Sequence, residues 1–156
     1  MNLIEVEVND AYAQDVDINL LQRAILNTLI QAGSAQEMDV TLLVEGDDIL
    51  QQLNRQYLGR DYPTDVLSFE ANDVDPETGR LHLGDIILSF PRAQEQRVSS
   101  GNSLADELQL LVVHGTLHLL GYDHDTPESK ALMWEKQAAI LKNLDCEIKT
   151  ISGDED

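Results

Sequence analysis

LQLLVVHGTLHLL, residues 108–120, is the longest apolar run in the chain, and two histidines sit inside it. A membrane span needs about 20 such residues, so the run reads as a buried core helix. Ser103 stands where an N-cap belongs, with Asp106 and Glu107 near the capping-box position, and Gly121 supplies the stop. A helix buried on all sides requires other elements around it, and the flanking sequence supplies them.

Upstream, Leu3, Ile4, Val6 and Val8 alternate loosely as a strand. Asp17 then caps an amphipathic helix through Ile30, ended by Gly33, with Ile18, Leu21, Ile25, Leu26 and Leu29 expected on one face. DVTLLVE (39–45) reads as a second strand. DDILQQLNRQYLG reads as a helix with acids in its first turn and Gly59 after its last, leaving Arg55 and Arg60 at its C-terminal end. Pro63 breaks the pattern, DVLSFE is a third strand, and ANDVDPETGR (71–80) is expected to be a long exposed loop before the strand in LHLGDIILSF. Pro91 opens a short helix that runs to Gly101, and Pro127 opens a last one over 127–144. These elements predict an α+β fold, a small mixed β-sheet packed against several helices, with the central buried helix carrying the candidate metal ligands.

At 156 residues the chain suits one core. Residues 1–151 are read as a single metal-dependent hydrolase domain, and 152–156 as a short acidic tail expected to be disordered. Cys146 is the only cysteine, and MNLIEVEVND carries acids where a signal peptide would carry bases, so a cytoplasmic location is expected, away from any membrane. The net charge of −19 repels polyanions and argues against broad electrostatic binding of nucleic acid. The charge is uneven, however. Residues 1–54 hold ten acids and one base, residues 98–156 eleven acids and four bases, but five arginines fall between Arg55 and Arg97. Only that middle third can form a positive patch.

HGTLHLLGYDH (114–124) contains three of the four histidines. His114 and His118 are i and i+4 on a helix, about 5–6 Å apart at Cβ, so both imidazoles can reach one ion. Gly121 tolerates the left-handed turn that returns His124 toward the pair. Three neutral imidazoles suit a single zinc ion and leave a fourth position open, the pattern of catalytic sites. A lone histidine on an apolar helix is usually a satisfied core residue. Three at this spacing leave ring nitrogens that need partners, which favours the metal.

The same spacing occurs in the metzincin proteases, H-E-x-x-H-x-x-G-x-x-H, which makes a metalloprotease one alternative. Gly115 stands where those proteases carry the glutamate that serves as general base, and Met133 lies among helical apolar residues as core rather than in a Met-turn. Ser68 and Ser89 lack the G-x-S-x-G context of serine hydrolases and read as strand residues. Asp85 and Asp123 are candidates for a general base or, preferred here, for orienting a metal-bound imidazole. His82 is either solvent-facing or turned into the cleft.

With Glu107-Leu108 before it and Asp125 after it, HGTLHLLGYDH resembles the signature of the YbeY-type endoribonucleases, bacterial proteins of ribosome biogenesis. The resemblance extends to PTDVLSF (63–69) and LGDIILS (83–89), in the same order. It implies a zinc-dependent, single-strand-specific endoribonuclease that matures the 3′ end of small-subunit (16S) ribosomal RNA and serves ribosome quality control. It further implies His114, His118 and His124 as zinc ligands, with ribosomal RNA and small-subunit components as partners and DNA not expected. Many relatives carry a functionally important arginine where this chain has Leu58, and often a proline where it has Glu70. Arg60 or Arg55 can supply the charge instead, holding phosphate through a bidentate contact, the alternative for each being a solvated surface arginine. A non-catalytic or weakly catalytic ribosome-assembly factor, with zinc holding the fold, is the other alternative.

Overall fold

The computed structural model describes residues 2–33 and 37–148, and the acidic tail 152–156 lies outside the described residues. Strand β1 (Leu3–Val8) leads through a 3-10 turn to helix α1 (Ile18–Ala32) and strand β2 (Met38–Glu45). Helix α2 (Asp47–Leu58) precedes the hairpin of β3 (Val66–Val74) and β4 (Leu81–Ser89). Helices α3 (Phe90–Ser100), α4 (Leu104–Leu119) and α5 (Pro127–Asn143) follow. The sheet order is β1-β2-β4-β3, parallel across the first two pairings and antiparallel in the hairpin. This is the mixed sheet with packed helices that the patterning predicts.

The two faces of the sheet bury different sets. Val40, Leu42, Val44, Ile86 and Leu88 point to the side of α1, α4 and α5, where the main core lies. Leu67 and Ile87 point the other way, onto Leu50 of α2. The period-2 alternation of a strand produces this division, so a sheet covered on both sides needs apolar residues at both parities. Helix α4 has eleven buried residues, including Leu108, Val112, Val113 and Leu117. Full burial of each such side chain contributes about 2 kcal/mol, offset by the conformational entropy of ordering it.

Two local expectations are corrected, and one element appears that the patterning does not mark. The buried face of α1 comprises Leu21, Ala24, Ile25, Thr28 and Leu29, while Ile18 and Leu26 are 40 % and 38 % exposed. Small Ala24 and back-bonded Thr28, whose hydroxyl donates to the Ala24 carbonyl at 2.8 Å, lie where the helix meets its neighbours, and the bulkier pair falls on the flanks. The segment 71–80 is strand as far as Val74 and an exposed turn from there to β4, rather than a loop throughout. After a bulge at Asn72 (φ 50°), pairing resumes at Asp73–His82 and Val74–Leu81, and a turn closed by Gly79 N–H to the Asp75 carbonyl (2.8 Å) joins the strands. Its residues are exposed on both faces, so no alternation marks it. Finally, Asn9 caps a 3-10 helix over Asp10–Asp15 that brings Tyr12 to stack on Phe90 at 4.6 Å, in a stretch without helical periodicity.

Candidate metal centre

Helix α4 ends in a Schellman motif. Gly121, at φ 100°, donates its N–H to the His118 carbonyl at 3.0 Å, and Tyr122 N–H reaches the Leu117 carbonyl, also at 3.0 Å. The reversal carries residues 122–124 back along the helix. His124 thereby comes beside the α4 pair, with its ring centroid 5.8 Å from that of His114 and 5.1 Å from that of His118.

One nitrogen from each of His114, His118 and His124 lies within 4.8 Å of the other two. His114 Nε2 and His118 Nε2 are 3.1 Å apart, and His124 Nε2 is buried with no hydrogen-bond partner. Metal–imidazole bonds of about 2 Å at tetrahedral angles separate ligand nitrogens by roughly 3.3 Å. The buried unsatisfied nitrogen and the close nitrogen pair are what an ion would satisfy, so the donor set fits a divalent metal. Burial, reinforced by the neighbouring rings of His114 and His124, pushes the His118 pKa down to about 4, against the Asp123 charge and a hydrogen bond with the Tyr122 backbone. The ring is therefore in its neutral, ligating form at physiological pH.

The three imidazoles open onto a cleft of about 740 Å³. Its lining includes Leu58 at the end of α2 and Arg60 just past it, Asp65 before β3, Ser68 within β3, and Trp134 from α5. Gly59, in the left-handed conformation at φ 70°, ends α2, and the Asn54 side-chain amide donates to the Tyr62 carbonyl at 2.9 Å. This turn delivers Arg60 to the cleft. Arg55 is not among the lining residues; it is largely exposed and its guanidinium lies 3.9 Å from Asp61.

Asp123 also lines the cleft, where its carboxylate accepts the His124 backbone N–H at 2.8 Å. Asp85 lies elsewhere. Gly84 and Ile86 approach α4, so Asp85 between them projects from the opposite face of the sheet. There it lies 2.9 Å from His82 Nε2. It does orient an imidazole, but not one of the three, and His82 is not part of the cleft lining.

Two contributors escaped the sequence reading. Gln137 of α5, only 1 % exposed, places its Oε1 3.0 Å from His114 Nδ1. Trp134 lies edge-on to both His114 and His124, 5.6 Å from each. Gln137 falls on the stripe of Met133, Ile140 and Leu141, which are all buried. An amide on an apolar stripe was the available signal.

A family model described as Endoribonuclease YbeY matches residues 4–145. Among curated relatives, "Endoribonuclease YbeY" of Roseiflexus castenholzii is 42 % identical over 91 % of this chain and 92 % of its own length. The protein of the same description from Moorella thermoacetica is 43 % identical over 90 % and 97 %. A solution structure of a Thermotoga maritima protein superposes with a TM-score of 0.59 at 28 % identity, covering 92 % of this chain and 89 % of the other.

Proposed function

Because the chain belongs to the endoribonuclease YbeY family, we propose that it is a zinc-dependent endoribonuclease that cuts single-stranded RNA within ribosomal RNA, at the 3′ end of the small-subunit RNA. Residues 1–151 serve as one hydrolase domain acting in the cytoplasm, where ribosomal RNA and small-subunit components are at hand. The observation that carries the reading is the convergence of His114, His118 and His124 nitrogens in a cleft that also receives Arg60.

His114, His118 and His124 would hold the ion. When bound, zinc supplies Lewis-acid polarisation to a phosphodiester oxygen or to water. The chain's own residues do the rest. Arg60 offers a delocalised cation with a planar donor fork, suited to a phosphate and to the charge that grows on it during cleavage. Asp123 fixes the backbone of His124 through its N–H and keeps a negative charge beside the imidazoles. Trp134 stands nearly perpendicular to two of the rings and walls them on the side of α5.

A net charge of −19 leaves little attraction for bare RNA, so affinity rests on this local cation and on basic ribosomal proteins. No helix among the described residues is long and apolar enough to cross a membrane.

Zinc content and cleavage of a single-stranded RNA, with its duplex as control, test the reading in wild type, His114→Ala and His118→Ala. The variants are expected to lose both zinc and cutting. A folded, zinc-free variant that cuts as wild type does would overturn the assignment of cleavage to this site, and a zinc-loaded wild type that does not cut would leave the assembly-factor reading in its place.

A further inference from the structure

Gln137 is buried, polar and unused by the cleavage chemistry, yet its Oε1 lies 3.0 Å from His114 Nδ1. An imidazole whose Nδ1 donates a hydrogen bond carries its lone pair on Nε2. In His114 that nitrogen is the one 3.1 Å from His118 Nε2. We propose that Gln137 is a positioning residue that holds His114 in the Nδ1–H tautomer and so aims its Nε2 at the metal position, an inference that rests on the three-histidine reading above.

The anchoring is long-range. Gln137 belongs to α5, whose start is fixed by a capping box in which Thr126 and Ser129 exchange side-chain-to-backbone hydrogen bonds. Met133 and Ile140, on either side of Gln137 along the helix, are fully buried and fix the rotation of α5 about its axis. His118 has a different support, a hydrogen bond with the backbone of Tyr122 in the turn after its own helix. The two α4 ligands are thus set by independent parts of the chain, and α5, which carries no ligand itself, contributes through an amide. An amide acceptor carries no charge, so it fixes orientation without the extra basicity a carboxylate confers on a ligand.

Gln137→Leu and Gln137→Glu test the proposal in the full-length chain, stripped of metal and titrated with zinc against a chromophoric chelator. Gln137→Leu is expected to weaken zinc binding by about 10- to 100-fold, the usual cost of losing such a support. Gln137→Glu keeps an acceptor and is expected to match wild type or bind more tightly. In the metal-free wild type, long-range ¹⁵N–¹H correlation is expected to show His114 protonated at Nδ1, and in Gln137→Leu as a mixture of tautomers. Wild-type affinity in a folded Gln137→Leu, or an Nε2–H tautomer in the wild type, overturns the assignment. Should Gln137→Leu not fold, the wild-type tautomer and the affinity of Gln137→Glu still decide it. A wild type that binds no zinc would sink the metal reading and leave the tautomer measurement standing as the test of Gln137.

Discussion

The Ser68 hydroxyl donates to the Gly115 carbonyl across 2.9 Å, tying β3 to α4 at the residue that follows the first histidine. A Cβ built on Gly115 would meet Ile86 Cγ2 and the Ser68 hydroxyl, each at 3.1 Å. The glycine is therefore where helix and sheet press together, and the glutamate that metzincin proteases carry after the first histidine has no room in this fold.

Gly115→Ala is expected to destabilise the protein by about 1–2 kcal/mol, because the added methyl presses on fully buried Ile86 and on the Ser68 hydroxyl bound to the Gly115 carbonyl, and this overpacking outweighs the gain of about 0.5–1 kcal/mol that alanine has over glycine in a helix. Gly115→Glu adds a carboxylate to the same contact and is expected to fold poorly or not at all, with no gain of peptidase activity. Denaturant unfolding measures the first substitution and soluble yield the second. A stable Gly115→Glu protein that hydrolysed an unstructured polypeptide would restore the protease reading.

The metal-free protein is expected to lose stability as the pH falls from about 6.5 toward 4. His118 has its folded pKa depressed from the ordinary 6.5 to about 4, mainly by burial. Within that window the unfolded chain takes up a proton that the folded chain refuses, so stability is present above the window and drains away through it. Saturating zinc, which binds neutral imidazole, is expected to raise the melting temperature at pH 7, with a stabilisation near 2.7 kcal/mol at about 100 times Kd. Thermal melts across pH, with and without zinc, read both effects. A metal-free melting temperature that did not fall between pH 6.5 and 4 would contradict the assigned burial.

How far the site was legible depended on whether its residues share a local period. His114, His118 and Gly121 lie on one helix and its cap, so the 3.6-residue repeat and a single left-handed turn brought the three imidazoles within reach of one another in the reading of the sequence. Asp85 misled because a strand assignment alone does not say which face of the sheet a residue takes, and β4 turns it away from α4. Arg55 and Arg60 could not be separated from sequence, since the left-handed Gly59 that divides them sets their directions only in three dimensions. Gln137 reaches His114 across 23 positions and between two helices, a contact no local pattern encodes.

Arg60→Ala is expected to reduce RNA cleavage by about 100-fold with zinc retained, in line with the loss of one group that stabilises transition-state charge. Arg55→Ala is expected to stay near wild type, because its guanidinium lies outside the cleft and close to Asp61. Single-turnover rates on a single-stranded RNA, alongside zinc content, distinguish the two. Equal losses in both variants would mean that the end of α2 acts as a diffuse charge rather than through one side chain.

Leu58 lines the same cleft as Arg60 and is 52 % exposed, so a longer side chain at this position has room to extend over the imidazoles. It stands in the last turn of α2, where a positive charge also favours the helix C-terminus by about 0.3–1 kcal/mol. Leu58→Arg is thus expected to cost no stability. It introduces a second guanidinium at the position many YbeY-type relatives fill with arginine, and in a chain of net charge −19 each added local cation weighs heavily on RNA affinity. The variant is expected to lower KM for single-stranded RNA several-fold and to steepen its salt dependence, and in the Arg60→Ala background to restore roughly a tenth or more of the lost rate. If Leu58→Arg left the Arg60→Ala deficit untouched, Arg60 would be acting through its own geometry and not as a replacement for the arginine this chain lacks.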